Sequence, residues 1–189
     1  MEGSRGLGDV YKRQAVGHAT KVINLAEKVD KEYIFTICWG KQTDTGDLEG
    51  RVIKEKKSFP LNYNIKKILP HFVGKIKQTP PKYSSIKING SRAYTLARKK
   101  IGFELKKREV KILSLKFLKQ LSFDKAEFYV KCSSGTYIRS LAESISEALD
   151  TVGVLIQLRR VGFGNFNKNL ISLDYFLSLV HSGEHNKAI

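Results

Sequence analysis

The stretch Cys132-Ser-Ser-Gly-Thr-Tyr-Ile-Arg-Ser-Leu-Ala-Glu-Ser-Ile145 is where the chain changes its period. Just before it, in Lys125-Ala-Glu-Phe-Tyr-Val-Lys131, Ala126, Phe128 and Val130 alternate with Glu127, Tyr129 and Lys131. A period of two reads as a half-buried strand. Beyond Gly135, Ile138, Leu141, Ile145 and Leu149 recur every three or four residues, the spacing of one helix face. Ser134 or Thr136 is expected to cap that helix, and Gly135 supplies the permissive backbone of the corner. A strand running straight into a helix puts Tyr137 and Arg139 in the first turn, beside N–H groups suited to an anion. Taken alone, a packed tyrosine and a solvated arginine explain the pair better.

Working outward, Lys31-Glu-Tyr-Ile-Phe-Thr-Ile-Cys-Trp39 reads as a second strand, with Tyr33, Phe35, Ile37 and Trp39 on one side. Glu109 to Leu118 should pair antiparallel with Lys125–Lys131 through a loop around Ser122, and Val152 to Val161 is a strand ending in a basic pair. Arg51 to Lys56 suggests a strand returning from the turn-rich loop Thr43-Asp-Thr-Gly-Asp-Leu-Glu-Gly50. Helices are expected over Thr20–Lys28, over Leu61–Phe72 with Pro70 disturbing its end, over Ala93–Lys99, and over Ser172–Val180. Tyr83 to Ile88 reads as a short strand and Asn89-Gly90 as a tight turn. The fold class that follows is α+β: a mixed, largely antiparallel sheet with helices packed on it. Residues 1–14 show neither periodicity nor a signal-peptide core and look like a foreign leader; residues 15–180 form the body, and 181–189 a fraying tail.

Composition narrows the partner. The chain has 189 residues, enough for one domain, with 34 Lys and Arg against 18 Asp and Glu, a net charge of +16. Such a surplus points to a polyanion, and no apolar run is long enough for a transmembrane helix. Nucleic acid therefore ranks far above a membrane. Cys38 and Cys132 lie apart and form no C-x-x-C, so buried free thiols in a reducing cytoplasm are expected, with no metal site. Asp44 and Asp47 fall short of a calcium-loop spacing and read as a capped turn, and His18 reads as structural. Lys82, Tyr83, Lys87, Arg92, Tyr94 and Arg98 interleave cations with aromatics, a composition suited to RNA phosphates and splayed bases. An ordinary solvated strand–turn–helix accounts for them equally well.

Four blocks in order give more than any one of them. Asp30-Lys-Glu-Tyr33 leads into Gly40-Lys-Gln-Thr-Asp-Thr-Gly-Asp-Leu-Glu-Gly50, followed by Thr79-Pro-Pro-Lys-Tyr-Ser-Ser-Ile-Lys-Ile-Asn-Gly-Ser-Arg-Ala-Tyr-Thr-Leu-Ala-Arg98. Cys132-Ser-Ser-Gly-Thr-Tyr-Ile-Arg-Ser-Leu141 and Leu158-Arg-Arg-Val-Gly-Phe163 complete the set. Spread over roughly 150 residues, they resemble the bacterial type of tRNA pseudouridine synthase that acts on the T arm. The resemblance implies a pseudouridine synthase-like catalytic fold, incomplete here, and isomerisation of uridine to pseudouridine without a cofactor. It implies that Tyr33 stacks on the flipped uracil and handles its proton, that Arg139 pairs with a catalytic aspartate, and that Tyr137 lies close to Arg139. Leu158 would be an apolar wall, Lys31 would fix the loop around Tyr33, and Pro80–Arg98 would face RNA. A tRNA T arm is the implied partner, with no membrane and no metal, and the chain is expected to be a monomer.

The departures are as informative. The family's aspartate sits in a Gly-His-x-Gly-Thr-Leu-Asp-Pro loop that this sequence lacks; Gly17-His-Ala-Thr20 echoes only its first letters, and Asp44 and Asp47 match another block. Position 42 is Gln where the family usually has Arg. The resemblance thus implies a chain without its nucleophile, inactive alone, with an unpaired sheet edge and exposed apolar surface. A non-catalytic RNA-binding module is the alternative, and a single-stranded DNA binder a third.

Overall fold

The computed structural model describes residues 29–164 of the chain. Its elements run β1 (Lys31–Trp39), β2 (Lys41–Thr43), β3 (Val52–Glu55), α1 (Asn62–Ile68) with a 3-10 turn (Leu69–Phe72), and β4 (Gly74–Gln78). Then follow β5 (Lys87–Ile88), β6 (Ser91–Arg92), α2 (Ala93–Arg98), β7 (Arg108–Ser122), β8 (Lys125–Cys132), α3 (Ile138–Ala148) and β9 (Gly153–Phe163). The leader, the tail and the helices expected over Thr20–Lys28 and Ser172–Val180 lie outside the described residues.

Five strands form one sheet in the order β4-β7-β8-β1-β9, and its ladders are antiparallel. The alternation read from the sequence builds its centre. Phe35 stands opposite Phe128 on one side and Leu158 on the other, and the two phenyl rings stack 5.3 Å apart. Tyr33, Phe35, Ile37 and Trp39 are buried together with Ala126, Phe128 and Val130. On α3 the buried apolar residues are Ile138, Leu141, Ala142 and Ile145, and the helix packs on β9 and β1. Each Val, Leu, Ile or Phe side chain among them contributes about 1.5–3 kcal/mol by leaving water. Gly153 lets α3 come this close, because a Cβ there would stand 2.4 Å from Ser146 Oγ and 2.8 Å from Ile37 Cγ2.

Several expectations about local structure need correcting. Tyr83–Ile88 is not one strand: the ladder begins at Lys87 and pairs with Ser91 and Arg92. Earlier carbonyls are taken by other donors, Ser84 O by the Tyr94 amide at 3.0 Å and Ile86 O by the Ala93 amide at 2.8 Å. The Asn89-Gly90 turn is as expected, with φ of 47° and 85°, the left-handed pair a two-residue hairpin uses. The helix over 61–72 breaks into α1 and the 3-10 turn where Pro70 enters. The β7 strand runs on to Ser122, so the turn falls at Phe123–Asp124. The short edge strand β4 escaped the sequence reading altogether, since Gly74-Lys-Ile-Lys-Gln78 offers Ile76 as its lone apolar residue.

Capping of α3 is also different. Neither Ser134 nor Thr136 caps it; Tyr137 occupies the N-cap position without a side-chain cap bond. Thr136 Oγ1 instead donates to Ser133 O at 2.9 Å. The role passes to Gln78 at the end of β4. Its amide accepts from Tyr137 N at 2.8 Å and donates to Tyr137 O at 3.0 Å, tying edge strand to helix start.

Among the described residues β4 and β9 are the edges of the sheet. Leu61, Tyr63 and Phe123 are exposed large apolar side chains.

Candidate active site

Arg139 leaves the first turn of α3 and enters the Thr43–Gly50 loop. One terminal nitrogen, Nη1, donates to Thr45 O at 2.9 Å and to Asp47 Oδ2 at 3.0 Å; Nη2 donates to Tyr83 O at 2.8 Å. The ion pair joins residues 92 positions apart, with side-chain exposure of 22% for Arg139 and 12% for Asp47. Sequence reasoning left Arg139 without a carboxylate in this chain. The structure gives it Asp47.

The loop holds Asp47 in place by its own turn chemistry. Thr45 Oγ1 donates to Asp47 Oδ1 at 2.7 Å, the Glu49 amide donates to the same oxygen at 3.1 Å, and Asp44 Oδ1 accepts from Arg51 N at 2.9 Å. The capped-turn reading of the two aspartates is therefore right, though incomplete. Both oxygens of Asp47 are engaged, so it serves to hold and orient Arg139, and attack on a substrate carbon would require giving up those bonds. The loop is anchored to the sheet by the Leu155 amide, which donates to Gly46 O at 3.1 Å.

A cavity of about 410 Å³ opens beside this pair, with Asp47, Tyr83, Tyr94, Arg98, Arg139 and Leu158 among its walls. It has the parts a nucleotide needs: an apolar wall, ring faces and cations. A second cavity of about 820 Å³ also reaches Arg139 and takes in Lys82 and Glu143. Burial pushes the Glu143 carboxyl above its usual range, Glu147 adds to this, and a hydrogen bond from Gln42 opposes it. Lys87 and Arg92 sit on the β5–β6 hairpin, exposed, and Arg92 Nη1 donates to Ser85 O. Tyr137 lines neither cavity.

Tyr33 also lies outside both cavity walls and is 8% exposed. It neighbours the first cavity through the sheet, because its β9 partner Arg160 lies two residues from Leu158. Burial raises the Tyr33 phenol, and the Arg160 charge opposes that rise. Arg160 lies 5.4 Å from the Tyr33 ring centre. Lys31 donates to Val29 O at 3.1 Å and Ser134 Oγ at 3.2 Å, linking the start of β1 to the corner before α3. Cys38 and Cys132 are buried free thiols, as expected, and burial takes Cys132 to about 11. Among the described residues no group of three or more His, Cys, Asp and Glu could hold a metal ion, and no helix is long and apolar enough to cross a membrane. Three residues that sequence reasoning missed matter here. Asp47 showed only as a turn residue, Gln78 gave no signal, and Arg160 was read as half of a basic pair.

The fold is similar to those of solved chains. The chain aligns with one in a Cbf5-Nop10-Gar1 complex at a TM-score of 0.62 and 24% identity, covering 92% of this chain and 44% of that one. For a chain in an H/ACA RNP bound to a substrate RNA containing 2'-deoxyuridine the values are 0.60 and 22%, covering 89% and 41%. Residues 14–138 match the family model described as TruB family pseudouridylate synthase (N terminal domain). The chain belongs to the TruB family of pseudouridylate synthases. It is 42% identical over 178 residues to tRNA pseudouridine synthase B of Ehrlichia ruminantium (strain Gardel), covering 92% of this chain and 59% of that protein. It is 43% identical over 167 residues to the protein of that name from Rickettsia bellii (strain OSU 85-389), covering 86% of this chain and 56% of that protein. The chain thus spans well under two thirds of the length of these relatives.

Proposed function

We propose that this chain carries the base-facing and phosphate-facing part of a site that converts uridine to pseudouridine in the T arm of a tRNA. The observation that carries the reading is the Arg139 guanidinium, locked on Asp47 at the wall of a cavity that also holds Leu158, Tyr83, Tyr94 and Arg98. In the reaction the N1–C1′ bond breaks, a C5–C1′ bond forms, and the C5 proton moves to solvent while N1 regains one. No electrons are gained or lost, so no redox cofactor is called for. The uracil must first leave its stack, a step that needs an aromatic surface and an apolar wall. Tyr33 supplies the ring and the group nearest the C5 proton, Leu158 the wall, and Arg139 the charge that aims a substrate-facing carboxylate. Lys31 fixes the strand start beneath Tyr33. Lys82, Lys87, Arg92 and Arg98 meet phosphates, with Tyr83 and Tyr94 as stacking faces. Residues 15–180 form the catalytic domain's part in this chain, 1–14 a leader and 181–189 a tail. The cytoplasm, where tRNA is processed, is the expected compartment, and the chain acts as a monomer.

The sequence contains no Gly-His-x-Gly-Thr-Leu-Asp-Pro loop, and Asp47 has its oxygens engaged. These two facts favour a chain that binds RNA by itself without converting it. The purified chain, incubated with a T-arm hairpin, is expected to yield no pseudouridine by mass spectrometry after chemical derivatisation. A product peak would show that a carboxylate of this chain performs the attack.

A further inference from the structure

The pairing of β1 with β9 slips by one residue beside Tyr33. Glu32 stands opposite Gly162, yet Tyr33 stands opposite Arg160, so Val161 is passed over. In an unbroken ladder Val161 would face Tyr33. An irregularity of this kind re-aims the side chains that flank it. Here it brings the Arg160 guanidinium 5.4 Å from the Tyr33 ring centre and 5.8 Å from that of Phe163. Phe163 in turn carries Lys31 Nζ at 5.3 Å, so rings and cations alternate from Tyr33 to Lys31.

Arg160 is not placed for hydrogen bonding in full. Its Nε is buried and lacks a hydrogen-bond partner, an unfavourable arrangement for a buried donor. A planar guanidinium set against two rings is using a geometry that lysine cannot copy. Other groups facing Tyr33 do not substitute for it. Cys132 on β8 is a buried thiol held at about 11 and thus uncharged at neutral pH. Lys31, at the start of the same strand, and Asp30, just before it, carry opposite charges.

We infer that Arg160 is the positioning residue for Tyr33, its guanidinium turned by the Val161 bulge onto the Tyr33 and Phe163 rings so that the phenol is held in plane beneath a bound base. The inference rests on the reading of Tyr33 as the base-facing residue. The clamp fixes the ring that stacks and supplies the positive charge next to its oxygen. Arg160 itself need not touch the substrate.

The test is a titration of the whole chain without RNA, with tyrosines labelled at Cζ and followed by NMR. Tyr33 is identified among the eight tyrosines as the resonance lost in Tyr33→Phe. Removing the neighbouring cation in Arg160→Gln should move the Tyr33 titration to higher pH. The Tyr129 titration, pushed to about 12 by burial and by its hydrogen bond with Glu32, should stay where it is. Arg160→Lys should also move Tyr33 upward, because a compact ammonium does not lie flat on the ring. A Tyr33 titration unmoved in Arg160→Gln overturns the inference. Should that variant not fold, an unmoved titration in Arg160→Lys overturns it instead. No RNA enters this measurement, so its failure leaves the role of Tyr33 toward the base standing, and loss of that role leaves the clamp standing.

Discussion

Residue by residue, the site divides into what chemistry announces and what only folding reveals. Tyr33, Leu158 and Arg139 could be singled out because they lie in motif blocks with a recognisable order. Asp47 could not, since its pairing with Arg139 spans 92 positions and nothing local distinguishes it from Asp44. Gln42 shows the same limit. The structure sets it against Glu143, the carboxyl whose affinity for protons is raised first by burial and then by Glu147. An acid with its folded value raised above its unfolded one binds protons more tightly when folded. Its ionisation therefore weakens the fold as pH climbs through the carboxylate range and beyond, and it has no such effect at lower pH. Glu143→Gln keeps an acceptor for Gln42 and removes the charge. Thermal denaturation should accordingly show the variant melting above the parent at pH 7, with the gap closing as pH falls through the ordinary carboxylate range. A gap of the same size at every pH would mean that packing, and not charge, sets it.

At the scale of elements, the switch from period two to period three or four is enough to place β8, the corner and α3. The same alternation gave β1, and turn chemistry gave the tight turn at Asn89-Gly90, though not the strand that returns from it. What the pattern could not supply was the join between distant elements. The helix cap that local rules assign to Ser134 or Thr136 belongs to Gln78, 59 residues before Tyr137, on a strand too short and too polar to be seen in the sequence. Local capping rules fail here because a tertiary donor–acceptor pair fits both backbone groups of Tyr137 at once. Gln78→Ala removes both bonds and leaves the Tyr137 amide without its acceptor, while Tyr137 O keeps the Leu141 amide as donor. Urea unfolding should show a loss of about 1–3 kcal/mol, the range for stranding buried polar groups. A loss under about 0.5 kcal/mol, the size expected of an ordinary surface change, would return the cap to local groups.

Over the whole molecule, charge predicts the class of partner and the site predicts what is read. A +16 chain that exposes Lys87, Arg92 and Arg98 on β5, β6 and α2 should bind RNA with steep salt dependence. For a T-arm hairpin the affinity should fall about a hundredfold between 50 and 200 mM salt, as roughly four phosphate contacts would require. Charge alone would bind any polyanion, so the decisive comparison holds charge constant. The measurement is the affinity of the chain, and of its Tyr33→Leu variant, for a T-arm hairpin bearing the target uridine and for the same hairpin abasic at that position. If the uridine is stacked on Tyr33 against Leu158, the chain prefers the uridine hairpin by about 5- to 150-fold, the range for one base on one aromatic ring. Tyr33→Leu then binds both hairpins alike. Equal affinity of the parent chain for both hairpins, or a preference that survives Tyr33→Leu, would contradict the account.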